Sequence, residues 1–249
     1  MLFLLFIILL SGNVKIQSQN KLPMNLQKYD YYPIHFGMAL GFNLMDFTIH
    51  HSGHFFYLDS IYSVENKPTI GLNINIVSNW NFWPNFSLRF LPGLNLGQRN
   101  LEYWVRKDTV MYTRVMKIES TYLDFPLLIA FKGSRLNNFR PYLIGGFSIK
   151  VDLAAQKRIR EEERPKIRLK RFSYYYEIGF GCDYFFPYFK FATELKFAVG
   201  LNNVLVPDNT QYSKAIEFMN SKMLMLSFTF EGSDVKFITN FFNLLRGRR

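Results

Sequence analysis

Cysteine is nearly absent. The 249 residues hold a single one, Cys182, so no internal disulfide can form and no disulfide framework holds the fold. By parity it sits on the apolar face of its segment, between Phe180 and Tyr184, as a small apolar filler. Also missing is any internal apolar run of the ~20 residues that a membrane helix needs, which with a mean hydropathy of −0.04 excludes a helical membrane bundle. Carboxylates are scarce: 19 Asp and Glu stand against 30 Lys and Arg, a formal net charge of +11. Such a balance invites an anionic partner, nucleic acid among them. The start of the chain argues against that partner. Leu2–Leu10 is a compact apolar block followed by Ser11 and Gly12, too short to span a membrane and without a Lys or Arg before it. It reads as a signal peptide over residues 1–18, and an exported protein does not meet nucleic acid. No Cys follows closely, so a lipoprotein anchor is not expected.

What the chain has in quantity is aromatic residues, 18% of the total with 27 Phe and 15 Tyr, arranged with a period of two. In Phe189–Val199 (FKFATELKFAV), Phe189, Phe191, Leu195, Phe197 and Val199 share one face, and Lys190, Glu194 and Lys196 share the other. An apolar stripe at period two is a β-strand. Eight such runs are predicted: Ile34–Ile49, Thr69–Trp80, Phe86 to about Val105, about Tyr112–Phe131, a fifth around Arg140–Asp152, Phe172–Phe185, Phe189–Val199 and Met223–Phe230. Asp46 falls on the apolar parity of the first, so either a bulge intervenes there or that strand has left the lipid. Connections of a few residues (Asn81–Asn85, Gly133–Asn138 and the turn at Pro187) alternate with long polar ones (Ser52–Pro68, Ala154–Lys170, Gly200–Ser221). Short turns at one end and long loops at the other is the rule of outer-membrane barrels, the short turns being periplasmic. The predicted fold is therefore all-β: an eight-stranded antiparallel up-and-down transmembrane β-barrel over residues 33–231, in the outer membrane of a Gram-negative bacterium, with both termini periplasmic.

In such a barrel grease faces lipid and charge faces the lumen. Arg89, Asp124, Arg140, Lys150, Asp152, Glu177, Asp183, Lys190, Glu194 and Lys196 all fall on the inward parity. Eight strands leave an interior that side chains fill, and buried charges must be paired. The expectation is a neutralised structural plug and not a porin.

The segments HFGMALGFNLMDF (His35–Phe47), LRFLPGLNLGQRNLEY (Leu88–Tyr103), YLDFPLL (Tyr122–Leu128), NFRPYLIGG (Asn138–Gly146) and FKFATELKFAVGLNN (Phe189–Asn203) together resemble the PorT family. Its members are small outer-membrane barrels needed by the type IX protein secretion system of certain Gram-negative bacteria. The resemblance implies a non-enzymatic component that supports export of cargo proteins, with other secretion-system proteins as partners. It carries over no functional residues. The chain departs from the family by continuing through Gly232–Arg249.

Three local features stand out. The loop residues Lys157, Arg158, Arg160, Arg164, Lys166, Arg168, Lys170 and Arg171, against only Glu161, Glu162 and Glu163, are candidates to bind lipopolysaccharide phosphates or an acidic partner. The alternative is a solvated charge run. The tail, residues 232–249, places Phe237, Ile238, Phe241, Phe242, Leu244 and Leu245 at mostly helical spacing, which suits a periplasmic amphipathic helix as well as a disordered extension. His50, His51 and His54 lie beside Ser52 and Asp59. A His pair four apart suits a metal, and Ser with His suits a nucleophile. The cluster lacks a third member and an oxyanion donor, so no catalytic, metal or cofactor site is assigned. A generic barrel of structural or lipopolysaccharide-binding role is the second reading, and an outer-membrane lipid hydrolase the third.

Overall fold

The computed structural model describes residues 23–53, 61–107, 110–155, 167–208 and 211–232. A 3-10 turn at Tyr29–Tyr31 precedes β1 (Ile34–His51), β2 (Ile61–Pro68), β3 (Ile70–Trp83), β4 (Phe86–Phe90), β5 (Gly93–Lys107), β6 (Val110–Lys132), β7 (Phe139–Asp152), β8 (Arg168–Leu169), β9 (Phe172–Phe185), β10 (Lys190–Gly200), β11 (Leu205–Val206), a one-turn helix α1 (Gln211–Lys214) and β12 (Ile216–Gly232). Thr69 alone separates β2 from β3, and Leu91–Pro92 separate β4 from β5, so each pair forms one interrupted stave. Proline has no N–H to give the ladder there. The carbonyl of Pro92 still accepts from the Ile76 N–H at 2.9 Å.

Eight staves result, each antiparallel to its neighbours, in the order β1, β2/β3, β4/β5, β6, β7, β9, β10, β12. The ring closes where β12 pairs with β1 from Phe36↔Gly232 to Phe42↔Leu226 and beyond. On its other edge β1 pairs with β3, from Ile34↔Trp80 to Leu44↔Ile70. Closure leaves no open sheet edge at this level, as backbone in hydrocarbon requires. The turns after β3, β6 and β9 gather at one end, together with the segment 23–33 and Gly232; this is the turn end. At the opposite loop end, β8 and β11 pair across two loops, Leu205↔Leu169 and Val206↔Arg168.

Polarity reverses part-way along the staves while the pairing continues. In the lower part of β1, Phe42 and Leu44 face outward, exposed, and Asn43 faces inward, buried. From Met45 on, the inward residues are apolar (Met45, Phe47) and Asp46 points outward, where Lys222 of β12 binds it at 2.9 Å. The same switch occurs in β5, where inward Asn95 gives way to Leu101, Tyr103 and Val105. It recurs in β6, where inward Asp124 gives way to Tyr122 and Met116, and in β12, where Met223 and Met219 lie inward of Lys222. The register of β1 with β12 is unbroken from Phe36 to His50, so no bulge sits at Asp46. Of the two readings of that residue the bulge is excluded, and the polarity of the neighbouring residues changes at this height. The lower part is apolar outside and polar inside; the upper part is apolar inside, with a core of Phe47, Leu101, Tyr103, Val105, Met116 and Met219 closed over by Ile167, Leu169 and Leu205 from the loops.

Three predicted boundaries move for this reason. The loop placed at Ser52–Pro68 contains β2, the upper continuation of the second stave, paired with β5 from Ile61↔Val105 to Pro68↔Arg99. The last strand begins at Ile216, not Met223, so the loop placed at Gly200–Ser221 is partly strand and also holds β11 and α1. The loop placed at Ala154–Lys170 carries β8. A pattern of outward apolar residues marks the lower part of the staves only; in these segments the apolar residues are buried inward.

Candidate functional site

The barrel interior concentrates the chemistry of the molecule. Successive strands alternate side chains across the wall, so each inward-facing Lys, Arg, Asp or Glu projects from its stave into the lumen at a fixed height. Together they form one chain of contacts that changes sign at every step. Asp30 meets Arg140 at 2.8 Å, Arg140 meets Asp183 at 3.3 Å, and Asp183 meets Lys190 at 3.2 Å. Lys190 meets Glu231 at 2.8 Å, Glu231 meets Arg89 at 3.5 Å, and Arg89 meets Glu194 at 2.5 Å. Glu194 continues to Lys196 at 3.8 Å, Lys196 to Glu177 at 3.4 Å, Glu177 to Lys150 at 2.9 Å, and Lys150 ends on Asp124. Side-chain dipoles complete the set: the Tyr142 hydroxyl donates to Glu194 at 2.9 Å, and the Asn95 amide to Asp124 at 2.8 Å. Alternation is what makes burial tolerable, because each ion within the chain has two opposite neighbours to offset its desolvation, and the terminal Asp124 has Lys150 together with Asn95 and Ser148.

The opposite wall, from β1 and β3, carries amides in place of ions. Asn43, Asn73, Asn75 and Asn79 lie buried against it. Gly41 and Gly71 are required here, since a Cβ at Gly71 would stand 2.6 Å from the Asn43 amide oxygen and one at Gly41 3.0 Å from that of Asn73. The amides lie flat along the wall over the glycines, which leaves the lumen to the long ionic side chains from the other wall. The space between Asn79, Arg89, Lys132, Tyr142, Asp183 and Lys190 has no room for a water-sized sphere.

Both ends are shut. At the loop end the apolar core lies over Arg99, a fully buried guanidinium that donates to Ser221 at 2.8 Å and Tyr122 at 2.9 Å, and also to Ser120. The Arg99 guanidinium lies 4.0 Å from the Phe47 ring centroid. At the turn end the strap 23–33 enters the mouth. Tyr29 is 1% exposed, stacks on His35 at 3.8 Å with an interplanar angle of 8°, and donates its hydroxyl to Glu231 at 2.9 Å. Burial, and then the Glu231 carboxylate, hold the Tyr29 phenol well above its usual range, so it stays protonated and a donor. Arg135, from the turn after β6, bonds the Asn25 carbonyl and lies 3.6 Å from the Phe185 ring centroid. Desolvation pulls its guanidinium below the usual value.

A family model for the outer membrane protein beta-barrel domain matches residues 17–206. The chain belongs to that family. Among solved structures, this outer-membrane barrel is similar to Neisserial surface protein A (8% identity, 78% of this chain and 95% of the other, TM-score 0.42). It is similar also to the outer membrane protein OprG from Pseudomonas aeruginosa (12%, 80% and 92%, TM-score 0.41) and to the outer membrane protease OmpT from Escherichia coli (10%, 80% and 96%, TM-score 0.41). No protein of curated function matches the sequence.

The structure of this outer-membrane barrel brings nine of the ten inward charges named from sequence, Arg89, Asp124, Arg140, Lys150, Glu177, Asp183, Lys190, Glu194 and Lys196, into the alternating chain. The tenth, Asp152, is buried apart from it and accepts backbone N–H groups of Thr121 and Ala154 at 3.3 and 3.0 Å. Sequence reading missed Glu231, Lys132, Arg99 and Asp30. The first two lie one residue past the predicted ends of their strands on the inward parity, and Arg99 continues the parity of Gly93 and Asn95, so extending each pattern finds them. Asp30 and Tyr29 carry no periodic signal.

Of the basic loop residues, Lys157, Arg158, Arg160, Arg164 and Lys166 lie outside the described residues, as do His54, Asp59, the segment 1–18 and the tail from Ser233. Lys170 and Arg171 are exposed, and Arg168 approaches Asp208 at 3.8 Å. The Ser52 hydroxyl donates to the carbonyl of Lys214 at 2.8 Å, and the His50 ring packs 5.8 Å from that of Phe218. Among the described residues no three His, Cys, Asp or Glu side chains are grouped to hold a metal ion.

Proposed function

We propose that this barrel is a closed, non-enzymatic component of the outer membrane that acts through its ends and its lipid-facing surface, and that it supports type IX secretion, the export of cargo proteins across the outer membrane. The observation that carries the first part is the unbroken ion-pair chain from Asp30 to Asp124, shut in by the strap at one end and the apolar core at the other. A lumen so filled offers no path to a solute, and its charges serve to hold the staves together. The link to secretion rests on the PorT-like segments, His35–Phe47 and Phe189–Asn203 among them. In this reading the turn end and both termini face the periplasm, where the other secretion-system proteins are met.

A second role, contact with lipopolysaccharide, rests on the basic residues of the loop before β9. Lys170 and Arg171 are exposed at the loop-end start of β9, just before the exposed Phe172. Together with the basic residues 157–168 they form the candidate lipopolysaccharide contact. The hydrolase reading finds no support in the Ser52 hydroxyl, which is turned to a backbone carbonyl.

Deletion of the gene tests the proposal. Cargo enzymes should accumulate inside the cell while outer-membrane composition stays normal. Normal cargo export in the deletion strain rejects the secretion role and leaves the structural one.

A further inference from the structure

The turn-end mouth is built as a socket, and the strap is the ligand it holds. Its walls come from five staves: His35 of β1, Arg140 of β7, Phe185 of β9, Lys190 of β10 and Glu231 of β12. His35 offers a flat face at 3.8 Å to the Tyr29 ring, Phe185 meets that ring edge-on at 5.7 Å, and the Lys190 ammonium sits 5.5 Å from its centroid. Glu231, fully buried, is the acceptor at the floor of this slot, 2.9 Å from the phenol oxygen. One residue along, Asp30 is clamped by Arg140 at 2.8 Å and Arg135 at 3.6 Å.

The charge count inside the barrel explains why a carboxylate belongs there. The buried cations are Arg89, Arg99, Lys132, Arg140, Lys150, Lys190 and Lys196, seven in all; the buried carboxylates are Asp124, Asp152, Glu177, Asp183, Glu194 and Glu231, six. The excess lies at the turn end, where Lys132 has an amide partner, Asn81 at 2.6 Å, and no carboxylate within ion-pair distance among the described residues. Asp30, at the exposed rim, faces two guanidiniums, Arg140 at 2.8 Å and Arg135 at 3.6 Å. Without the strap the mouth therefore presents an aromatic slot beside Arg135, left with no carboxylate within ion-pair distance among the described residues, and Arg140, left with Asp183 alone.

The strap is tied by backbone bonds at both ends, Asn138 to the Pro23 carbonyl at 3.2 Å and Asn81 to the Tyr32 carbonyl at 3.3 Å, but only one of its side chains enters the mouth. Tyr29 is 1% exposed while Tyr31, two residues on, is 85% exposed, and Met24 is exposed as well. Beyond the Tyr–Asp pair the strap is tied by Asn25, whose N–H donates to Asn138 at 2.8 Å and whose side chain donates to the Phe185 carbonyl at 3.0 Å. Leu26 turns the chain between these two anchors with a φ of 47°. A left-handed leucine is a cost that the docked strap bears and a released one does not.

We propose that the turn-end mouth is a binding socket for an aromatic residue followed by a carboxylate in a tight 3-10 turn, that Tyr29–Asp30 fills it in cis, and that a segment of another protein bearing the same pair displaces the strap. This goes beyond the secretion role and stands or falls without it.

The test uses the full chain in detergent and a fluorescent peptide of residues 24–33. The Tyr29→Ala/Asp30→Ala protein, its slot empty, should bind the peptide. The unaltered chain should bind it about tenfold more weakly or worse, since a tethered segment competes at a roughly millimolar effective concentration. Peptides carrying Tyr29→Ala or Asp30→Asn should lose most of the affinity, as should adding Arg140→Gln to the double variant. A heat-modifiable band on gels establishes that each variant is folded. Failure of the folded double variant to bind overturns the proposal. So does equal binding by the unaltered chain, or equal binding of the substituted peptides, either of which would mean contact elsewhere on the barrel.

Discussion

Lys150 shows what a single side chain is worth in this interior. Its ammonium lies fully buried between Asp124 and Glu177, and over the Tyr175 ring at 5.1 Å. Lys150→Met leaves two carboxylates sealed without their shared cation, and breaking a buried pair in this way costs about 3–5 kcal/mol. Urea unfolding in detergent should report that loss. Neutralising Asp124 as well, as Lys150→Met/Asp124→Asn, should recover most of it, because the cost lies in the orphaned carboxylate, while Glu177 keeps Lys196 at 3.4 Å. Tyr29→Phe removes only the hydroxyl that Glu231 accepts. It should lower stability by about 1.5–3 kcal/mol, the range for a hydrogen bond to a charged group, and should leave the barrel staves unaltered by circular dichroism.

Strands were legible in the sequence wherever lipid forces the pattern. From Phe172 to Phe185 the predicted and observed strands coincide, because Tyr174, Tyr176, Ile178 and Phe180 alternate with Tyr175, Glu177 and Asp183 without a break. The pattern fades where the environment changes. In β2, Ile61 and Val64 are buried and Glu65 and Lys67 face water, a solvent-side arrangement broken further by Pro68, so the segment reads as loop. Asp46 was the one visible sign of the switch, a charge on the greasy parity at the height where the outside ceases to be grease. The strap was illegible for another reason. Nothing local to Lys28–Tyr32 buries Tyr29; the groups that do so, His35, Phe185 and Glu231, are assembled by ring closure. At the scale of one strand, then, the effect of a charge depends on height. Leu40→Arg, facing lipid mid-stave, should destabilise by about 2–4 kcal/mol. Glu217→Arg, exposed on β12 above the switch, should change stability by less than about 0.5 kcal/mol. Both are measured by unfolding from liposomes, and equal effects at the two heights would count against the placement of the lipid edge.

As a whole the molecule is two proteins end to end along one set of staves. The lower part is an inside-out cylinder held by ions and hydrogen bonds; the upper part is an ordinary apolar core wrapped by sheet and loops. The upper core and the strap stop both mouths, so the purified protein in a planar bilayer should show no conductance steps, and Tyr29→Ala should not create them, since the ion-pair chain above the strap stays in place. Site-directed spin labelling along β1, from Phe36 to His50 in lipid bilayers, tests this architecture most directly. Labels at Phe36, Met38, Leu40, Phe42 and Leu44 should collide freely with oxygen and be shielded from a water-soluble nickel complex. The label at Asp46 should be open to nickel, and that at Phe47 shielded from both. Nickel access at Leu40 or Phe42, or no reversal on passing Asp46, would contradict it.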